Sequence, residues 1–238
     1  MRRLKTGTEG LDELLTGGVP ERRNVLISGT CGTGKTILAA QFLRQGVEND
    51  ESGLMISFEQ DEEKLIEDLL TIGIDVPALE KTGKFRLIGG PIGVVRRIQT
   101  KTKAKKEDIL KEVERVVGEL GTKRVVLDSI NLFLMLFEDE AEKRESLAEL
   151  TSLLAKKGCT TMLTCEIEEG SKKISHHGFE EFVSDGVIVL YRIAFENMFE
   201  RAIAVIKMRG IEHSKAIRAI KITKEGLKVY PEQEPYHK

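Results

Sequence analysis

Short apolar runs alternate along the first two thirds of the chain with longer stretches whose apolar positions recur every three or four residues. Asn24–Ser28 (NVLIS), Gly53–Phe58 (GLMISF), Phe85–Ile88, Arg124–Leu127 (RVVL) and Thr160–Thr164 read as buried strands. Between them the helical period predicts a helix from about Gly34 to Val47 and a second from Asp61 through Leu70. In the second, Leu65, Ile66, Leu69 and Leu70 share a stripe and Asp61 is the cap. A third carries Ile109, Leu110, Val113, Val116, Val117 and Leu120 and stops at Gly121; a fourth carries Leu147, Leu150 and Leu154. Strands that alternate with helices predict a mostly parallel sheet covered on both faces. After residue 185 the period changes. Gly186–Tyr191, Ala202–Lys207, Ala216–Ile222 and Leu227–Tyr230 read as strands on short connections, with a turn at Lys224-Glu225-Gly226. The expected fold is α/β, with these antiparallel C-terminal strands extending one edge of the sheet.

Length does not divide this pattern. A chain of 238 residues fits one core, and no linker or repeat interrupts it, so residues 1–238 are expected to form a single domain. Apolar residues make up 40% of the chain and charged residues 32%, the excess lying in Lys and Glu as in thermophilic proteins. A net charge of −2 exerts no global pull on nucleic acid or anionic membrane. Three cysteines, at 31, 159 and 165, have neither zinc-ligand spacing nor the look of a disulfide framework. No apolar signal core follows Met1, and no apolar run approaches the length of a membrane span. The expectation is a cytoplasmic protein with no membrane contact. One local feature departs from this neutrality: Lys81–Lys106 holds nine basic residues and no acidic one, and its distal part, Val94–Lys106, reads as a mobile surface loop. A solvated loop is favoured there over a nucleic-acid contact.

The chemistry concentrates at one turn. Gly29-Thr30-Cys31-Gly32-Thr33-Gly34-Lys35-Thr36 fits the phosphate-loop pattern, and it follows a predicted strand and opens a predicted helix as that pattern requires. The glycines let backbone N–H groups wrap an anion, and the helix start adds positive potential. Residues Thr30 to Ile37 would hold ATP, with Lys35 beside the β- and γ-phosphates and the Thr36 hydroxyl on magnesium. Asp128 ends the strand RVVL at the edge where such sheets bind ligands. It also suits a turn cap, but with the loop upstream metal support is favoured. Glu59 ends the strand GLMISF and is a candidate general base, an acidic helix start being the plainer alternative. Pattern alone does not raise Lys207-Met208-Arg209-Gly210 above a basic turn, and His176-His177 reads as an exposed loop rather than a metal site.

Several blocks together resemble the KaiC family of RecA-like ATPases, particularly its single-domain archaeal type. They are Thr6 to Pro20 (TGTEGLDELLTGGVP), the phosphate loop, Phe58-Glu59, Val126-Leu127-Asp128-Ser129, Glu181 to Gly186 (EFVSDG), and Lys207-Met208-Arg209-Gly210 with His213-Ser214. The resemblance implies a RecA-type core and a ring homo-oligomer, usually a hexamer, with nucleotide between subunits. It makes Glu59 the catalytic carboxylate and Lys207 and Arg209 contacts to the γ-phosphate held by a neighbouring subunit. It also implies a regulatory or signalling role with a partner the sequence does not name. The clock protein of this family has tandem domains and a Glu-Glu pair where this chain has Glu59-Gln60. Its autophosphorylated Ser-Thr pair falls on Glu181-Phe182, so phosphorylation is not expected. A DNA-binding recombination accessory and a slow nucleotide-dependent assembly switch are the alternative readings.

Overall fold

In a computed structural model, the described residues are 1–90, 106–195 and 197–235. The strands are β1 (Arg3–Leu4), β2 (Val19–Pro20), β3 (Asn24–Gly29), β4 (Gly53–Ser57), β5 (Phe85–Ile88), β6 (Arg124–Asp128), β7 (Thr160–Glu166), β8 (Gly186–Phe195), β9 (Met198–Met208), β10 (Arg218–Thr223) and β11 (Gly226–Tyr230). The helices are α1 (Leu11–Leu14), α2 (Lys35–Glu48), α3 (Glu62–Leu70), α4 (Val76–Lys81), α5 (Lys106–Leu120), α6 (Ile130–Leu134), α7 (Glu140–Lys156) and α8 (Glu180–Val183). β1 and β2 pair in a small sheet of their own; the others form one sheet in the order β11-β10-β9-β8-β3-β7-β6-β4-β5.

The alternation of strand side chains divides the core in two. Val25 and Ile27, Met55, Val126 and Met162 pack on one face with Leu38, Phe42 and Leu43 of α2 and Leu65 and Leu69 of α3. Leu26, Leu54, Ile56, Val125, Leu127 and Leu163 pack on the other with Ile109, Val113, Leu147 and Leu150 of α5 and α7. Burial on both faces is what the unbroken apolar runs require. Each such side chain removed from water is worth about 1.5–3 kcal/mol.

The predicted helices all form, with local differences. Asp61 stands at the start of α3 but its side chain makes no capping bond. In α3, Leu70 is exposed while Leu65 and Leu69 are buried, because Leu70 is turned about 100° from Leu69 on the helix. α4 arises without an apolar period: Asp75 accepts the Ala78 N–H at 3.0 Å and caps a turn containing Pro77. α5 ends as expected at Gly121, whose φ of 59° lets Thr122 N–H reach Val117 O at 3.0 Å. Residues 91–105 of the basic stretch lie outside the described residues; at its end, Lys106 opens α5 and pairs with Glu145 and Glu149.

The late strands need one correction. β9, β10 and β11 are antiparallel and extend one edge, but β8 runs parallel to β3. α8 and the turn after it return the chain to the amino edge of β3, where Asp185 N–H bonds Asn24 O at 2.8 Å. The β8–β9 hairpin is also longer than its apolar pattern. β3 pairs with β8 only as far as Leu190, while the hairpin continues to Phe195 and Met198.

Candidate functional site

The sheet order puts the carboxyl ends of β3, β7, β6 and β4 side by side. β3 runs into the loop 29–36, β7 ends at Glu166, β6 at Asp128, and β4 is followed by Phe58 and Glu59. Phe58 N–H bonds Asp128 O at 2.6 Å and ties the last two ends together. Strand alternation then aims the chemistry. Asp128 shares the face of Val126, Glu166 that of Met162, and Glu59 continues the parity of Met55, all on the α2 side. Three carboxylates therefore face the loop from three different strands, at the carboxyl edge where sheets of this kind bind ligands.

The loop itself is built to receive an anion. Gly34 has φ of 101°, a left-handed backbone that favours glycine, and a Cβ there would crowd Leu227 Cδ1 of β11 at 2.9 Å. Gly32 has φ of 71° and open space where its Cβ would stand. α2 begins without a side-chain cap and without an acidic residue in its first turn, which leaves its N–H groups for a ligand. Lys35 is buried, and its Nζ donates to Gly29 O at 3.0 Å and Thr30 O at 2.9 Å. Among the described residues no carboxylate is in direct ion-pair contact with it; Asp128 and Glu59 act on it only from further off. Thr33 Oγ1 braces the turn on Thr30 O at 2.8 Å, while Thr30 Oγ1 is buried without a partner. Cys31 is exposed on the loop, and Thr36 and Ile37 are half-buried in the first turn of α2.

Thr36 Oγ1 meets the Asp128 carboxylate, which is also held by Thr164 Oγ1. Burial pushes the Asp128 carboxyl above the usual range, opposed by the Thr164 and Thr36 hydroxyls and by Lys35. A hydroxyl and a buried carboxylate are hard oxygen donors, and a small divalent cation at the phosphates suits both. Glu59 is exposed to the cleft. Partial desolvation, then the charges of Asp128 and Glu166, raise its carboxyl above the ordinary value, and Lys35 opposes them. Gln60 lines the same cleft, with its Nε2 on Asp68 Oδ2 at 2.9 Å. From Lys35, Glu59 and Glu166 a cleft of about 390 Å³ runs along α3 past Leu65, Leu69, Thr71 and Ile72 to Ile222.

Lys207 and Arg209 are not brought to the loop of their own chain. Lys207 Nζ donates to Glu181 O at 2.7 Å and Ser184 O at 2.6 Å, and Arg209 faces Asp185 at 3.7 Å. Desolvation, then Arg209, lower the Lys207 ammonium below its ordinary value, against Asp185 and Glu181. His176 is exposed and His177 pairs with Glu140; among the described residues no three or more His, Cys, Asp or Glu side chains cluster as a metal site.

Two site residues escape the sequence reading. Glu166 carries the same signal as Asp128, an acid at the end of a buried strand, but the apolar run stops at Thr164 while the strand continues two residues further. Arg201, on the extended hairpin, donates to Gly32 O of the loop at 3.0 Å; no local pattern marks it.

Comparison with known proteins gives a consistent answer. The KaiC ATPase family profile matches residues 4–234. A UPF0273 protein of Thermotoga maritima is 34% identical over 239 residues, covering 98% of each chain. The circadian clock protein KaiC3 of Synechocystis is 31% identical over 232 residues, which span 97% of this chain and 46% of that longer one. The crystal structure of a KaiC-like protein from Pyrococcus horikoshii superposes with a TM-score of 0.85 at 35% identity, covering 97% of this chain and 99% of that one. Among the described residues no helix is long and apolar enough to cross a membrane.

Proposed function

The chain belongs to the KaiC ATPase family, and we propose that it hydrolyses ATP to ADP and phosphate with magnesium, at the interfaces of a ring of like chains, a homohexamer, in a regulatory role. The observation that carries the reading is the buried Lys35 ammonium, hydrogen-bonded among the described residues to two loop carbonyls and lining one cleft with Glu59. Backbone N–H groups of residues 30–37 take the β-phosphate, and Lys35 spends its remaining donor on the γ-phosphate. Thr36 and Asp128 support the metal, which when bound neutralises charge on the transferring phosphoryl group. The apolar part of the cleft, between Leu69, Ile72 and Ile222, suits the flat face of a purine base, and Asp68 and Thr71 offer polar groups to its edge.

Glu59 acts as general base. Its raised carboxyl draws its proton affinity closer to what abstraction from water demands. In the proposed ring, Lys207 and Arg209 reach a neighbour's γ-phosphate by leaving their resting partners, the Glu181 and Ser184 carbonyls and Asp185. Single-turnover hydrolysis of magnesium-ATP by the wild-type chain and by Glu59→Gln tests the reading. The variant is expected to bind ATP normally and to hydrolyse it ~10²–10⁴-fold more slowly. A wild-type chain that binds ATP but releases no phosphate would overturn hydrolysis, and an unchanged variant would remove Glu59 as the base.

A further inference from the structure

Glu166 ends β7, and β7 lies between the phosphate-loop strand β3 and the Asp128 strand β6. In register Glu166 stands opposite Gly29, and the next residue, Ile167, donates its N–H to Gly29 O at 3.2 Å. Along β7 the same face carries Met162 in the core beneath α2, Thr164 on the Asp128 carboxylate, and then Glu166. Its main chain is clamped: the Asn131 side chain accepts the Glu166 N–H and donates to the Glu166 carbonyl, both at 2.9 Å. Ser129 Oγ in turn approaches Asn131 Oδ1 at 3.3 Å. One side chain thus fixes this strand end on both sides without engaging the Glu166 carboxylate.

The Glu166 carboxylate lines the phosphate cleft with Lys35 and Glu59. It also lines a second space of about 280 Å³, bounded by Ser129, Asn131 and His176, and Glu59 is the other residue common to both. The two acids thus stand between the cleft and a neighbouring open hollow with room for several waters. Among the described residues neither carboxylate has a hydrogen-bond or ion-pair partner, and the Glu166 charge is one of those that raise the Glu59 carboxyl.

We infer that Glu166 is a second water-holding carboxylate of the hydrolytic site, accepting one O–H of the attacking water while Glu59 takes the proton of the other. One acceptor leaves a water free to rotate about its hydrogen bond; two acceptors fix the direction of its lone pair. Gln60 carries no charge to offer, and its Nε2 is engaged on Asp68. In the step, the water oxygen forms a bond to the γ-phosphorus, the bond from that phosphorus to the β–γ bridging oxygen breaks, and its electron pair stays on ADP. The proton passes to Glu59 and then to solvent, and Glu166 keeps its charge throughout. This rests on the hydrolysis reading above and adds a residue to it.

The test uses the full chain and four forms of it: wild type, Glu59→Gln, Glu166→Gln and the double variant. Three quantities are measured: single-turnover hydrolysis, affinity for a non-hydrolysable ATP analogue with magnesium, and melting temperature. Glu166→Gln is expected to slow hydrolysis about 10- to 100-fold, the scale of a misoriented reactant. Its analogue affinity should be no weaker than wild type, because the lost charge repels the triphosphate, and its melting temperature should be unchanged. The double variant should be no slower than Glu59→Gln alone, since both acids act on one water. A wild-type rate for Glu166→Gln overturns the inference. So does a loss that multiplies with that of Glu59→Gln, or one that comes with weaker binding and a lower melting temperature. If the wild type itself does not turn over, the hydrolysis reading falls and the inference with it, an outcome distinct from failure of Glu166 alone.

Discussion

Thr36 and Asp128, on different elements and 92 positions apart, meet with the threonine hydroxyl 3.2 and 3.1 Å from the two carboxylate oxygens. Asp128 is 2% exposed, and its companions are this hydroxyl and that of Thr164. Burial still holds this carboxyl above its usual range against both hydroxyls and the Lys35 charge, and a divalent cation would supply what they do not. Thr36→Ala and Asp128→Asn are therefore expected to weaken ATP binding in magnesium far more than in a chelator, measured by titration in both conditions. In the chelator Asp128→Asn should also melt higher than wild type, because the burial that raises this carboxyl outweighs the hydroxyls and the Lys35 charge that oppose it. A gain of ~1 kcal/mol would read as about 2–4 °C at this size. Equal affinity losses with and without magnesium would count against metal support.

The parallel core is legible in the sequence because strands buried on both faces read as unbroken apolar runs, and because the phosphate loop has a fixed pattern between a strand and a helix. Asp128 and Glu59 follow from the ends of such runs. Glu166 does not, since Thr164 and Cys165 continue the strand after the run of large apolar residues has ended. The parallel sense of β8 is hidden for another reason: short connections around Gly186 suggest hairpins, and only α8, a helix of four residues, reverses the direction. Arg201 stands on the part of the hairpin beyond the reach of β3, between Arg192 of β8 and Ile220 of β10, and no local pattern announces that pairing. Leu70 shows the limit of reading a stripe from a few positions, as one residue beyond the buried edge turns it to solvent.

The three thiols should separate by reactivity. Burial pushes the Cys159 thiol up to about 11 and the Cys165 thiol up to about 12, whereas Cys31 is exposed on the phosphate loop. Only thiolate reacts appreciably, so near pH 8 an aromatic disulfide reagent is expected to modify one thiol per folded chain quickly. ATP at 100 times its dissociation constant should slow that reaction by about 100-fold, since only free loop is accessible. Rapid modification of all three thiols, or no protection by ATP, would contradict the assignment of the loop.

Arg201 braces the loop from outside. Its Nε donates to Gly32 O at 3.0 Å, and Gly32 is the position where open space adjoins the turn. One such hydrogen bond is worth ~0.5–1.5 kcal/mol. Arg201→Ala should accordingly weaken ATP binding about 2- to 10-fold while the melting temperature stays near wild type. Calorimetric titration checks this, and unaltered affinity would show that the loop holds its shape without the hairpin.

Arg209 is expected to act on a neighbour's nucleotide. Its side chain is 55% exposed, its contact with Asp185 is 3.7 Å long, and Asp185 also has Arg23 at 3.2 Å. Losing an exposed pair of this kind costs about 0–1 kcal/mol, so Arg209→Ala should fold and melt like the wild type. A positive group delivered in trans to a transferring phosphoryl is worth ~10³-fold or more in rate. The variant should then bind ATP on its own intact loop and hydrolyse it at least that much more slowly. Lys35→Ala supplies the complementary defect: no tight ATP binding, but an intact Arg209. Once labelled chains show that the two variants exchange subunits, their mixture should regain activity that neither has alone, because some interfaces join an intact loop to an intact Arg209. If no activity returns after confirmed exchange, Arg209 works within its own chain or only holds Asp185. If Arg209→Ala turns over at the wild-type rate, Arg209 has no part in the chemistry and its pairing with Asp185 is the whole of its role.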